Sequence, residues 1–212
     1  MKKFKIVFLS LSVLIAAQSF GQKSSKKADA SAVAFGIKAG INVANQTYKS
    51  QGLTISPSSL LGVTGGLFAT IPVGDGGFGI QPELLYSMMG SKFDFTTGGT
   101  TVSSQEELGY LSIPVLAKMS FGKPGFGVYL GPQVGILMSA KSKSGSTSTD
   151  SKSDYKSSDV SAVVGLEYAL DMGVNFSARY QIGLSNIAKD VTNGTSVKNN
   201  ALSITIGYSF LK

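Results

Sequence analysis

The sequence predicts an all-β membrane protein, an eight-stranded antiparallel up-and-down transmembrane β-barrel. Three observations lead there. Apolar residues recur at every second position through eight segments, which is the period of a strand and not of a helix. The segments are 9 to 15 residues long. A tilted strand needs about 9–11 residues to cross a bilayer, whereas soluble strands average about 5–6. The connections alternate strictly between short and long, as in barrels with tight turns at one end and extended loops at the other.

Met1 begins a segment with the marks of a secretory signal. Lys2, Lys3 and Lys5 form a basic start, residues 6–17 are apolar, and small residues flank Phe20. Twelve apolar residues are too few to span a bilayer as a helix, which takes about 20. Cleavage before Gln22 is therefore expected, giving a signal over 1–21, a flexible periplasmic tail over 22–32 and a barrel domain over 33–212. Removing 1–21 takes away three lysines and no acids, so the net charge falls from +7 to +4. No cysteine follows the apolar stretch, which excludes a lipid anchor on a cleaved Cys.

The strands run in order along the chain. In 35–43, Phe35, Ile37, Ala39, Ile41 and Val43 face one way and Gly36, Lys38, Gly40 and Asn42 the other. In 60–71, Leu61, Val63, Leu67 and Ile71 oppose Gly62, Thr64, Gly66 and Phe68. In 78–90, Ile80, Leu84 and Tyr86 oppose Gln81, Glu83 and Ser87; in 108–121, Ile113, Val115 and Met119 oppose Ser112, Pro114 and Lys118. The same holds for 126–140, 160–170, 172–184 and 202–210, the last with Leu202, Ile204, Ile206 and Tyr208 against Ser203, Thr205, Gly207 and Ser209. One face is greasy enough for lipid and the other is small and polar enough for a narrow lumen. Pro82, Pro114 and Pro132 fall inside these segments. Because proline cannot donate to a ladder, they are expected at bulges or strand ends.

Three connections are short: 72–77, 122–125 and the turn at Asp171. Four are long, 44–59, 91–107, 141–159 and 185–200, each 16 to 19 residues. They are expected to be loops, and 141–159, rich in Ser, Lys and Asp, to be mobile. An even strand count puts both ends of the chain on the short-turn side, which export assigns to the periplasm. Phe35, Phe78, Phe121, Phe126, Tyr168 and Phe210 lie near strand ends, where barrels carry aromatic girdles.

Five charges fall on inward faces: Lys38, Glu83, Lys118, Glu167 and Arg179. Buried charge is costly unless paired, so they are expected to form an interior polar network that fills the lumen and fixes register. The functional alternative is a conducting path.

Composition excludes much else. The chain has no His and no Cys, so no Cys/His metal site, no His general base and no Cys nucleophile can exist. No catalytic, cofactor-binding or metal-binding residues are expected, and no cofactor. Gly74, Gly76 and Gly79 match a dinucleotide fingerprint, but a strand follows where a helix is required, so they read as a turn. No basic patch with interleaved aromatics exists, so nucleic acid is not an expected partner. Glycine is 26 of 212 residues, as a narrow lumen and tight turns require.

Several segments together resemble a known family. They are 36–42 (GIKAGIN), 81–86 (QPELLY), 110–118 (YLSIPVLAK), Gly131-Pro132 and 179–184 (RYQIGL). The chain resembles the porin-family, PorT-like small outer-membrane β-barrel domain of Gram-negative bacteria, with an OmpA/OmpX-like barrel. It departs at Ser112, where that pattern often carries Glu. Tyr208-Ser209-Phe210 resembles the aromatic-ended signal read by barrel-insertion machinery, although two residues follow the Phe. The resemblance implies an integral outer-membrane location and eight strands, and no common substrate or reaction. The expected role is structural or interactive, either displaying four extracellular loops or serving as a small subunit of an outer-membrane assembly. Expected partners are outer-membrane lipids and proteins of such an assembly. The alternative is a narrow porin or passive channel for small solutes.

Overall fold

The structure is a computed structural model and describes residues 32–97, 100–122 and 124–210. The expected signal (1–21) and all but the last residue of the expected tail (22–32) lie outside the described residues. Ten strands form one antiparallel sheet: β1 (Ala34–Ser50), β2 (Leu53–Ile55), β3 (Ser58–Pro72), β4 (Phe78–Thr97), β5 (Thr100–Phe121), β6 (Gly125–Ser144), β7 (Thr147–Asp150), β8 (Ser158–Ala169), β9 (Val174–Gly183) and β10 (Ser196–Ser209). Eight are long, while β2 and β7 are short additions at one end. The long strands run β10-β9-β8-β6-β5-β4-β3-β1, and β1 pairs back onto β10 from Gly36↔Ser209 to Lys49↔Ser196. That last pairing turns a sheet into a ring. It leaves the long strands no open edge at membrane depth, the condition for crossing hydrocarbon with strands. No described helix is long and apolar enough to cross a membrane.

The alternation has the sense the sequence implies. Along β10, Leu202, Ile204, Ile206 and Tyr208 are exposed and Ser203, Thr205 and Gly207 buried. In β9, Phe176, Ala178, Tyr180 and Ile182 point out, and Asn175, Ser177, Arg179 and Gln181 point in. A soluble barrel would show the reverse. At the short-turn end the outward aromatics form a rung, because Phe121 pairs Phe126, Phe126 pairs Tyr168, and Tyr168 pairs Phe176. Gly77 sits in one short turn at φ 78°, where a Cβ would meet the Ser120 carbonyl oxygen at 2.3 Å. Glycine is required there on both counts.

Three expectations need correction. First, the long connections are not structureless. β4 and β5 pair out to Thr97↔Thr100, so nearly all of 91–107 is a hairpin. Segment 141–159 is folded too: β6 pairs β7, and a 3-10 turn at Lys152–Asp154 comes next. Second, the prolines are neither bulges nor strand ends. Pro82, Pro114 and Pro132 lie mid-strand in β4, β5 and β6. Pairing lapses for two residues beside each of them and then resumes in the same register. Third, the true irregularities lie elsewhere. Gly109 pairs Ser139 but Tyr110 pairs Leu137, which leaves Met138 as an extra residue. The bulge reverses the facing of the residues beyond it, so Ala140 is buried where the simple alternation would turn it outward.

The lipid face has a direct test. Ile204 is 57% exposed and pairs Ile41 across the closing seam. Ile204→Arg is expected to destabilise the barrel by about 2–4 kcal/mol if that site lies near the bilayer midplane. Ser203→Ala, on the inward face of the same strand, should cost far less. Urea unfolding in lipid vesicles measures both.

Candidate functional site

Inward positions of the eight strands create three zones along the lumen. At the centre is an ionic layer. Glu83 on β4 accepts from Lys38 Nζ of β1 at 2.7 Å, from Arg179 Nη1 of β9 at 2.7 Å and from Gln81 Nε2 at 2.7 Å. Arg179 Nη2 adds a second contact at 3.3 Å, so the guanidinium grips the carboxylate with both nitrogens. Lys118 on β5 donates to Glu167 on β8 and, at 3.2 Å, to Gln81 Oε1. Thr70 of β3 donates to the same oxygen at 2.9 Å. Lys38 lies 4.8 Å from the Phe68 ring centre and Arg179 lies 5.6 Å from that of Tyr129.

All five inward charges are therefore buried in one connected set, joined through Gln81. The set spans β1, β3, β4, β5, β8 and β9. A one-residue slip in any of these strands would turn its member out toward lipid. Three cations meet two carboxylates, so the layer carries one excess positive charge. Gln81 was legible as inward but not as the bridge, because period-two reading gives facing and not partners.

The second zone lies at the long-connection end. Ala44, Met89, Leu108, Tyr110, Leu137, Ala140, Ile187, Ala188, Val197 and Ala201 pack together there, with Tyr48 and Tyr155 against them. Ile187 and Ala188 come from the β9–β10 connection, which folds into the mouth. Asn186 staples that connection: its Oδ1 accepts from the Ala188 and Val197 amides at 3.0 and 2.8 Å, and its Nδ2 donates to the Thr195 carbonyl at 3.0 Å. The β7–β8 connection crosses it through Lys156 N to Ile187 O at 2.7 Å and Lys189 N to Asp154 O at 3.0 Å. Ile187 is fully buried, so two connections seal this end.

A polar cluster under the seal was not expected from sequence. Asn199 donates from Nδ2 to Asp159 Oδ2 at 3.0 Å, and Ser185 donates to Asp159 Oδ1 at 2.8 Å. Gln46 donates to Asn199 Oδ1 at 3.1 Å and accepts from Ser91 at 2.7 Å. The available signal was continued alternation: Asn42, Ala44 and Gln46 keep the inward phase of Lys38 past residue 43. Outside the membrane-spanning part, the Thr192 hydroxyl and amide hold the Asp190 carboxyl below the usual aspartate range.

The third zone is a cavity of about 750 Å³ at the short-turn end, between the ionic layer and the turns. Phe68, Lys118 and Glu167 line its inner part, and Asp75, Asp171 and Leu170 its rim. The lumen is thus a cup, open at the short turns and sealed at the far end. No group of three or more His, Cys, Asp or Glu residues able to hold a metal occurs among the described residues.

The ionic layer makes a quantitative demand. Glu83→Gln leaves Lys38 and Arg179 buried without their shared counter-charge and is expected to cost about 3–5 kcal/mol. Neutralising Asp94 in the exposed Lys92–Asp94 pair, 3.4 Å apart, should change stability far less, because water screens that pair. Unfolding of the two variants in the same lipid compares them.

No curated protein sequence matches the chain. Among solved structures it is similar to Neisserial surface protein A, at 17% identity and a TM-score of 0.48, over 84% of this chain and 99% of that one. It is similar to the outer membrane protein OprG of Pseudomonas aeruginosa, at 14% identity and a TM-score of 0.46, over 86% and 98%. A third is Ail, the attachment invasion locus protein of Yersinia pestis, at 16% identity and a TM-score of 0.44, over 84% and 98%. Residues 16–189 match the model of the outer membrane protein beta-barrel domain. That span takes in β1 through β9, whose inward faces carry the whole ionic layer. The chain belongs to the outer membrane protein beta-barrel domain family.

Proposed function

We propose that this protein is a non-conducting structural and interaction barrel. It is anchored in outer-membrane lipid by its apolar face and presents its long connections outside the cell. In this reading the segment over 1–21 directs export, and the short turns and the cup face the periplasm. The single observation that carries it is the seal. Ile187 and Ala188 fill the mouth with apolar side chains, and the ionic layer crosses the lumen beneath them. A solute crossing here would have to displace both. The Asn186 staple gives the plugging connection its own shape. That supports a permanent closure over a swinging gate.

The ends of β4 and β5, β7 and the 3-10 turns at Lys152–Asp154 and Thr192–Gly194 make a folded outer surface suited to contact with proteins. A PorT-like role as a small subunit of an outer-membrane assembly is the finer form of the proposal. Catalysis is no part of it: the chain has no His to serve as base and no Cys to serve as nucleophile.

Single-channel recording in planar bilayers tests the reading. The native protein is expected to give no steady, resolved openings. A variant lacking residues 186–195 should still leave the ionic layer in place and conduct little. Steady openings of the native protein would overturn the proposal in favour of a narrow porin.

A further inference from the structure

We propose that Asp159 is a pH-sensitive latch that sets how tightly the β9–β10 connection closes the mouth. This rests on the seal proposed above and adds what controls it. Asp159 lies at the outer end of β8, one residue before the span 160–170 read from sequence. Its two carboxylate oxygens hold opposite roots of the plugging connection. Oδ1 accepts from Ser185, at the start of the connection, at 2.8 Å. Oδ2 accepts from Asn199 Nδ2, on β10, at 3.0 Å. The adjoining backbone strengthens the first root: Val160 N donates to Ser185 Oγ at 2.8 Å, and Ser185 N donates to Val160 O at 3.1 Å. Asn199 extends the second root to β1, because its Oδ1 accepts from Gln46 at 3.1 Å. One side chain thus ties β8, β10 and the connection together under Ile187.

The carboxyl has no cation beside it. Asp159 is 3% exposed, and both groups that donate to its side chain are neutral. On β6 it pairs Gly135, and β9 ends at Gly183, so neither strand brings a charge to it. From β10 and β1 come Asn199 and Gln46, and from β4 Ser91, which donates to Gln46. From β5 comes Tyr110, which shares the Asn199 amide at 3.3 Å. It is the titratable neighbour, and a phenol stays neutral up to about pH 10. Glu106 of β5 accepts from Tyr155 and Ser151 instead. Among the described residues Asp159 is in no ion pair.

In such a place the ionised form is the costly one. Burial holds the Asp159 carboxyl above the usual aspartate range, against the pull of its Asn199 and Ser185 bonds. When the connection lifts, water reaches the carboxyl and its pKa returns to the ordinary value of about 3.9. Closure is therefore strongest below that ordinary value, and it weakens as pH rises through the raised one. Acid tightens the connection and neutral medium loosens it, a graded change and not a swinging gate. Asp190, the other acid of the connection, is held below the usual range by Thr192 and titrates beneath this window.

The test is amide hydrogen exchange of the full mature chain in lipid bilayers at about pH 4 and about pH 7, corrected for intrinsic rates. The Ile187 amide donates to Val197 O at 2.9 Å and the Lys156 amide to Ile187 O at 2.7 Å, so both report lifting of the connection. Their protection is expected to fall at least about threefold from the lower pH to the higher. Amides around Val128, deep in β6, should hold theirs. Asp159→Asn should flatten the change, whatever its absolute protection, and Glu106→Gln should preserve it. If Asp159→Asn does not fold, the native chain still decides by the direction of its change. Protection that is level or rises with pH overturns the proposal. So does a fall that persists in folded Asp159→Asn, vanishes in Glu106→Gln, or is equal around Val128. Protection and current are read separately, so failure of the latch and failure of the non-conducting reading are told apart.

Discussion

Inside a bilayer an unpaired backbone amide has no water to turn to, and each one costs several kcal/mol. The architecture of this chain follows from that constraint. A sheet at membrane depth must close, and β1 closes on β10 over fourteen paired positions. Closure with eight strands leaves a lumen narrow enough for side chains to fill. The inward positions must then be small where strands crowd and mutually bonded where they are polar. Glycine, serine, threonine and the amides answer the first demand. The Lys38–Glu83–Arg179 and Lys118–Glu167 pairs, tied by Gln81, answer the second. Outward positions meet lipid, and the aromatic rung through Phe121, Phe126, Tyr168 and Phe176 marks the interface at the short-turn end.

The ends of the barrel are governed by different physics. Beyond the bilayer, water satisfies backbone groups, so strands are free to extend, stop or fold over. At one end this chain stops at once, leaving tight turns and a cup. At the other it extends β4 and β5 to a far hairpin, adds β2 and β7, and sends Ile187 back into the mouth. The β9–β10 connection thereby covers the mouth of the lumen, with Ile187 fully buried there.

Much of this was legible in sequence where one face met lipid. Period two marked the eight strands, their facing and the five inward charges, because lipid enforces a sharp contrast between the two sides. Legibility failed where the contrast vanished. Residues 141–144 are polar on both faces, so their strand character left no pattern in hydropathy, and in 92–97 only Phe93 and Phe95 alternate with polar residues, too short a run to mark a strand. Ile187 and Ala188 are two apolar residues in a polar stretch, and only the fold shows what they cover. The prolines were misplaced because the expectation assumed that a lost donor must end or bend a strand. Here neighbouring ladders lapse for two residues and resume in register. The Met138 bulge left no period-two signature before the break, and the phase reversed only at Ala140.

Amide hydrogen exchange of the protein in lipid bilayers tests closure most directly. A closed ring gives the first and last strands two bonded neighbours each. The amides of residues 37–43 and 202–208 should therefore be as slow to exchange as those of β5 and β6. Fast exchange confined to the outer edges of β1 and β10 would show an open seam and contradict the account.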